Sequence, residues 1–148
     1  MPVDENTWKF FQQHLGYSDE EMALFRANPR NAEVLAKGPE LMQKTIVAEV
    51  VESHGCNSQH KVGDRFVFDG AGNLITGMCP GRVCVFALHP LATLIFASNE
   101  LLYAGADPDS LRFNRTGCAD VGVRCGGWGH IAMEVRVEDR SEQPAAGS

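Results

Sequence analysis

The residues most able to do chemistry here are cysteines and histidines set between regular elements. Cys56 and His60 form a Cys-x3-His pair between two strand-like stretches. A thiolate and an imidazole at that spacing can meet one ion. Zinc takes sulfur and nitrogen ligands at about 2.0–2.3 Å, and iron–sulfur clusters take thiolates. The pair alone is a weak signal, because structural metal sites commonly carry paired Cys-x2-Cys motifs. His54 precedes Cys56 by two residues, so an extended chain puts both on one side. That spacing also suits a catalytic Cys–His pair.

Cys79 directly precedes Pro80, and proline favours the first turn of a helix. The spacing predicts a helix from about Pro80. Its unpaired N–H groups and dipole would favour a thiolate at Cys79, as a nucleophile, a metal ligand or a helix cap. Cys84 then falls inside an apolar helix and reads as core. Cys118 lies in Thr116-Gly117-Cys118-Ala119-Asp120, and Cys125 opens Cys125-Gly126-Gly127-Trp128-Gly129-His130. Such glycine-rich loops let backbone approach a ligand closely, and they also simply make turns. Their spacing is wrong for a dinucleotide fingerprint, and a strand follows rather than a helix. Trp128 is a candidate to line a ligand pocket. His89 reads as a core histidine, His130 as an exposed strand residue and His14 as helix surface. Asp64 reads as the cap of a turn before a strand.

These residues need elements to position them. The first 44 residues read as helices: Trp8, Phe11 and Leu15 recur at helical spacing, and Gly16 ends that pattern. Ser18 and Glu21 have the form of a capping box, and Asn28-Pro29 stops the second helix. From Thr45 the composition turns β-branched, predicting strands over 45–51 and 65–68. Asp69-Gly70-Ala71-Gly72-Asn73 is turn chemistry, with Leu74-Ile75 expected to return as a hairpin partner. Val83 to Asn99 is an uncharged run that reads as a buried helix, which Pro90 is expected to kink or split. Ile131, Met133, Val135 and Val137 alternate with polar neighbours as a half-buried strand.

Bulk properties narrow the function classes. The chain has 148 residues, a net charge of −6 and 44% hydrophobic residues, which points to one small globular domain without wholesale disorder. An acidic chain with no basic patch is a poor partner for nucleic acid. The uncharged run is short for a membrane span and interrupted by His89, Pro90, Ser98 and Asn99. The N-terminus lacks the pattern of a signal peptide, and five cysteines are an odd number, so the expectation is a cytoplasmic protein without a disulfide framework.

Taken in order, these pieces resemble a known family. The order is a strand, Cys56-x3-His60-Lys61-Val62-Gly63-Asp64-x-Phe66, a hairpin, Cys79 before a helix with Ala87-Leu88-x-Pro90, Asp107-Pro108-Asp109, Cys118-x-Asp120 and a closing strand. The pattern resembles an uncharacterised family of small prokaryotic proteins, frequent in anaerobes and with no assigned activity. It spans about residues 45–137. The resemblance implies a compact domain with cysteines at the positions of Cys56, Cys79 and Cys118. This chain departs from the pattern in its helical N-terminal extension, in Ala119 where proline is often found, and in the insertion from Cys125 to His130.

The expectation is therefore an α+β protein: a small, mainly antiparallel sheet with one or two helices on a face. Residues 1–44 form a helical extension, 45–139 the cysteine-containing domain and 140–148 a flexible tail. Three functions follow. The first is a metal-binding domain holding zinc or an iron–sulfur cluster through Cys56, His60, Cys79 and Cys118. The second is a small hydrolase, isomerase or lyase using Cys79, with His54 or His60 as base and Trp128 lining the pocket. The third is a subunit or homo-oligomer docking through its N-terminal helices, where Trp8, Phe10 and Phe11 cluster.

Overall fold

The computed structural model describes residues 2–140. The tail expected over 140–148 lies, from residue 141 on, outside the described residues. The chain divides into two compact units, with the break between Leu41 and Met42.

The first unit is helical for local reasons. Helix α1 (Glu5–Leu15) is capped by the Asp4 carboxylate, which accepts the Thr7 N–H at 2.8 Å, and is closed by Gly16 at φ 72°. Helix α2 (Asp19–Ala27) carries the full Ser18–Glu21 capping box. Asn28 ends α2, and its side chain caps α3 (Pro29–Ala36); a short α4 (Gly38–Leu41) follows. Trp8 is buried edge-on against Phe25 at 6.1 Å, with the Arg26 guanidinium 4.9 Å from its ring. Arg26 also forms a two-pronged ion pair with Glu5, at 2.6 and 3.0 Å.

The second unit is a four-stranded antiparallel sheet under one long helix. Strands β1 (Lys44–His54), β2 (Arg65–Asp69), β3 (Arg115–Gly117) and β4 (His130–Asp139) lie in the order β2-β1-β4-β3. Period-two alternation aims Ile46, Ala48 and Val50 of β1 and Ile131, Met133 and Val135 of β4 at one face. Helix α5 (Val85–Tyr103) seals that face with Ala87, Leu91 and Ile95. Phe66, Ile46 and Leu91 are fully buried, so truncating any of them to alanine costs about 2–5 kcal/mol. On the sheet, Arg136 bonds Glu49 at 3.1 Å and Glu138 at 2.9 Å, and Glu138 also pairs with Arg65.

Three expectations about elements change. Leu74 makes a single bridge to Phe68 rather than a strand, because the chain enters a 3-10 turn at Thr76–Met78. Helix α5 begins at Val85, not near Pro80: Cys79 closes the 3-10 turn in extended backbone, and Cys84 takes the cap position. Pro90 does not split the helix, which runs through it to Tyr103. Its length and mean hydropathy of 1.4 would allow α5 to cross a membrane, yet here it buries Ala87, Leu91 and Ile95 on the sheet.

Candidate functional site

At one end of the sheet, the loop after β1, the start of α5, the end of β3 and the start of β4 surround a cavity of about 400 Å³. Cys56, Cys84 and Cys118 all line it, together with His60, His130, Phe86 and Trp128. Three cysteines far apart in sequence thus share one pocket. They are Cys56, Cys118 and Cys84, rather than the expected trio containing Cys79.

Cys56 reaches the pocket through a close backbone crossing. Gly129 packs on Gly55 so tightly that a Cβ there would sit 2.0 Å from the Gly55 carbonyl oxygen and 2.7 Å from the Cys56 nitrogen. Glycine is required, and the crossing delivers Trp128 and His130 beside the Cys56 loop. A second close approach sets the imidazole of His130 over Gly117, where a Cβ would meet Cε1 at 2.5 Å and Nε2 at 2.8 Å.

His130 Nδ1 lies 2.7 Å from the Asp120 backbone carbonyl oxygen, which can only accept, so Nδ1 carries the proton. The same nitrogen is 3.7 Å from the Cys118 sulfur, which also accepts the Ile131 N–H at 3.5 Å. Asp120 organises this corner. Its carboxylate accepts N–H bonds from Gly122 (2.9 Å), Trp128 (3.0 Å) and Gly129 (3.1 Å). Those bonds, the one from Gly122 foremost, hold its carboxyl below the usual range, with His130 adding to the effect. His130, expected on an exposed face, is half-buried in the pocket wall.

His60 has a structural duty. It is 4% exposed, stands edge-on to Phe66 at 5.0 Å, and its Nε2 accepts the Cys84 N–H at 3.3 Å. Its Nδ1 lies 3.8 Å from the Asp64 carboxylate, which in turn caps the Lys61 N–H at 3.0 Å. The bond through Nε2 ties the buried imidazole to the residue from which α5 starts.

That start is where Cys84 lies. Burial works against a thiolate there, but the Ser58 hydroxyl and the first-turn N–H groups of Phe86 and Ala87 outweigh it and draw the thiol below its ordinary value. Cys79 shows the opposite. Burial pushes its thiol up, only partly offset by the Val67 N–H it accepts at 3.3 Å, and its sulfur also contacts the Ile75 carbonyl oxygen at 3.3 Å. Cys79 is anchored on β2 and is not among the residues lining the cavity. The electrostatic advantage expected at Cys79 belongs to Cys84, because the helix begins five residues later than the proline suggests.

The remaining candidates separate cleanly. His54 is exposed at the end of β1, across from His130 in the register, and does not line the cavity. His89 is exposed on α5, not core. Trp128 lines the cavity as expected, with 74% of its surface exposed, and also borders an open polar groove containing Lys61. Cys125 is exposed. Among the described residues, no three His, Cys, Asp or Glu side chains are gathered to hold a metal ion. The expected set of Cys56, His60, Cys79 and Cys118 is not assembled: Cys79 is bound to β2, and His60 Nε2 accepts the Cys84 N–H. Sequence reasoning missed Cys84, Ser58, Phe86 and Asp120. The Asp120-x-Gly122 turn was a readable signal, whereas the delayed helix start left none.

Comparison with protein-family models, curated proteins and solved structures yields no match to the chain.

Proposed function

We propose that the second unit binds a small organic molecule in this cavity and attacks it with the Cys84 thiolate. The observation that carries this reading is the position of Cys84. It lines a cavity of ligand size and also occupies the N-cap position of the 19-residue helix α5, whose N-terminal field favours the anionic sulfur. The nucleophile expected from sequence moves from Cys79 to Cys84, and the helix, rather than His54 or His60, activates it. His130, with Nδ1 committed to Asp120, offers Nε2 as the remaining proton acceptor in the pocket wall.

Iodoacetamide labelling near neutral pH, followed by peptide mapping, tests the reading. Cys84 should be carboxamidomethylated before Cys79 and faster than the exposed Cys125, which serves as an internal comparison. A Cys84 that reacts no faster than Cys79 would defeat it.

Three thiols on one cavity favour a second reading, in which Cys56, Cys84 and Cys118 take a thiophilic ion after their side chains move together. Elemental analysis of protein purified without air should then find about one zinc or one iron–sulfur cluster per chain. Metal-free protein that binds no added zinc would discard this reading.

A further inference from the structure

We infer that the pocket selects a neutral, planar electrophile of the α,β-unsaturated carbonyl class, held against Phe86 and Trp128 while Cys84 adds to it. The inference rests on Cys84 as the nucleophile of the proposed function and adds the substrate class.

Two aromatic rings stand at this cavity with little else covering them: Phe86 is 62% exposed and Trp128 74% exposed. Exposed rings beside a cavity offer faces on which a flat ligand can stack. Charge narrows the choice further. Among the described residues no Lys or Arg lines the cavity, and its one carboxylate, Asp120, already accepts three backbone N–H bonds. An anionic ligand would find no counter-charge there, whereas Lys61 belongs to the neighbouring open groove. At about 400 Å³ the cavity sits at the small end of ligand pockets, which suits a compact molecule.

The chemistry then follows from the nucleophile. Ionisation of Cys84 releases its proton to solvent. The sulfur lone pair forms a bond to the β-carbon of the ligand, and the carbon–carbon π pair moves through the carbonyl to give an enolate. Water protonates the enolate at the α-carbon. The net change is addition of S–H across the double bond, with no oxidant, reductant or leaving group.

Three maleimides share that acceptor and differ only in what the inference specifies: N-phenylmaleimide is neutral and aromatic, N-ethylmaleimide neutral and aliphatic, and N-(4-carboxyphenyl)maleimide anionic and aromatic. Adduct formation on the full chain is followed by intact mass and peptide mapping, with each rate divided by that of the same reagent with glutathione. N-Phenylmaleimide should modify Cys84 about tenfold faster than either comparison reagent. Phe86→Ala with Trp128→Ala should erase that preference, bringing the three normalised maleimide rates at Cys84 together. If iodoacetamide labels Cys84 rapidly but the three maleimides react alike, the substrate class is wrong and the nucleophile stands. A preference that survives loss of both rings also overturns the substrate class. Failure of every reagent at Cys84 overturns both.

Discussion

The Phe86 carbonyl oxygen accepts the N–H of Ala119 at 3.0 Å. The bond exists because of Pro90. Four residues along α5, a proline supplies no N–H, so the Phe86 carbonyl has no partner within its own helix. Ala119 takes the vacancy and ties the Cys118 segment to the first turn of α5. On its other side, the Cys118 N–H reaches the Ile131 carbonyl oxygen at 3.0 Å. The segment bearing one pocket cysteine is thus fastened to the turn that carries another. A residue expected to break the helix instead helps to assemble the site. The Ala119 amide should exchange with deuterium on the order of tenfold or more slowly than that of the neighbouring exposed Val121, although both lie outside any strand. Equal exchange by NMR would show that the tie is not maintained in solution.

The helix start depends on His60. His60→Ala would remove a buried ring and strand the Cys84 N–H, for a combined loss of about 2–4 kcal/mol in urea unfolding. The start of α5 should loosen as well, so Cys84 alkylation should slow relative to Cys125 in the fraction that remains folded. A stable variant with an unchanged Cys84 rate would show that the imidazole neither supports the fold nor sets the helix start.

The two cysteines flanking the Pro80 loop should titrate in opposite directions. The Cys84 thiol is lowered and the Cys79 thiol raised. Because the thiolate is the reactive form, the Cys84 alkylation rate should climb and level off at lower pH than that of Cys79. Rate–pH profiles from peptide-resolved labelling between about pH 6 and pH 10 would show two displaced curves. Reversed curves would remove the electrostatic basis for choosing Cys84.

Asp120 makes the corner acid-sensitive. Its carboxyl lies lower in the folded chain than in the unfolded one, so the folded state favours the charged form. The resulting stability is present above the ordinary carboxylate value and is lost as pH falls through the lower folded value. Unfolding midpoints in urea should therefore fall less steeply with acid in Asp120→Asn than in wild type. Trp128 fluorescence should report the loop's release over the same range. Parallel pH profiles for the two proteins would mean the three N–H bonds contribute nothing.

Gly129 and Gly117 should differ in how substitution fails. A methyl at Gly129 would strike the backbone of Gly55, which cannot swing aside, so Gly129→Ala should cost roughly 1–3 kcal/mol or more. At Gly117 the obstacle is the His130 ring, a side chain that can rotate away. Gly117→Ala should therefore lower the melting temperature less, while shifting the His130 Cε1–H resonance. A Gly129→Ala protein as stable as wild type would refute the close crossing.

Local patterns made much of the fold legible. The Ser18–Glu21 box, Asn28-Pro29, the β-branched run from Thr45 and the alternation from Ile131 to Val135 each encode their element through near neighbours, so short windows sufficed. Reading from sequence alone also named Cys56, Cys118 and Trp128, which do line the pocket. It misplaced the start of α5, because Cys-Pro looks like a helix start, and so put Cys84 inside the helix rather than at its cap position. What places Cys84 at the cap is a bond from its N–H to His60, 24 residues away.

The sequence by itself thus determined the α+β class, most of the helices, the strands β1, β2 and β4, and an inventory of thiols and imidazoles. Only the tertiary structure decided which of them meet. Capping, turn and alternation signals act within a few residues and leave their record in short segments. The pocket depends on Gly129 crossing Gly55, Ala119 reaching Phe86 and His60 holding Cys84, contacts between stretches 24 to 74 residues apart. Distances of that kind leave no periodicity in a chain, and here they decide which sulfur sits in the field of the helix.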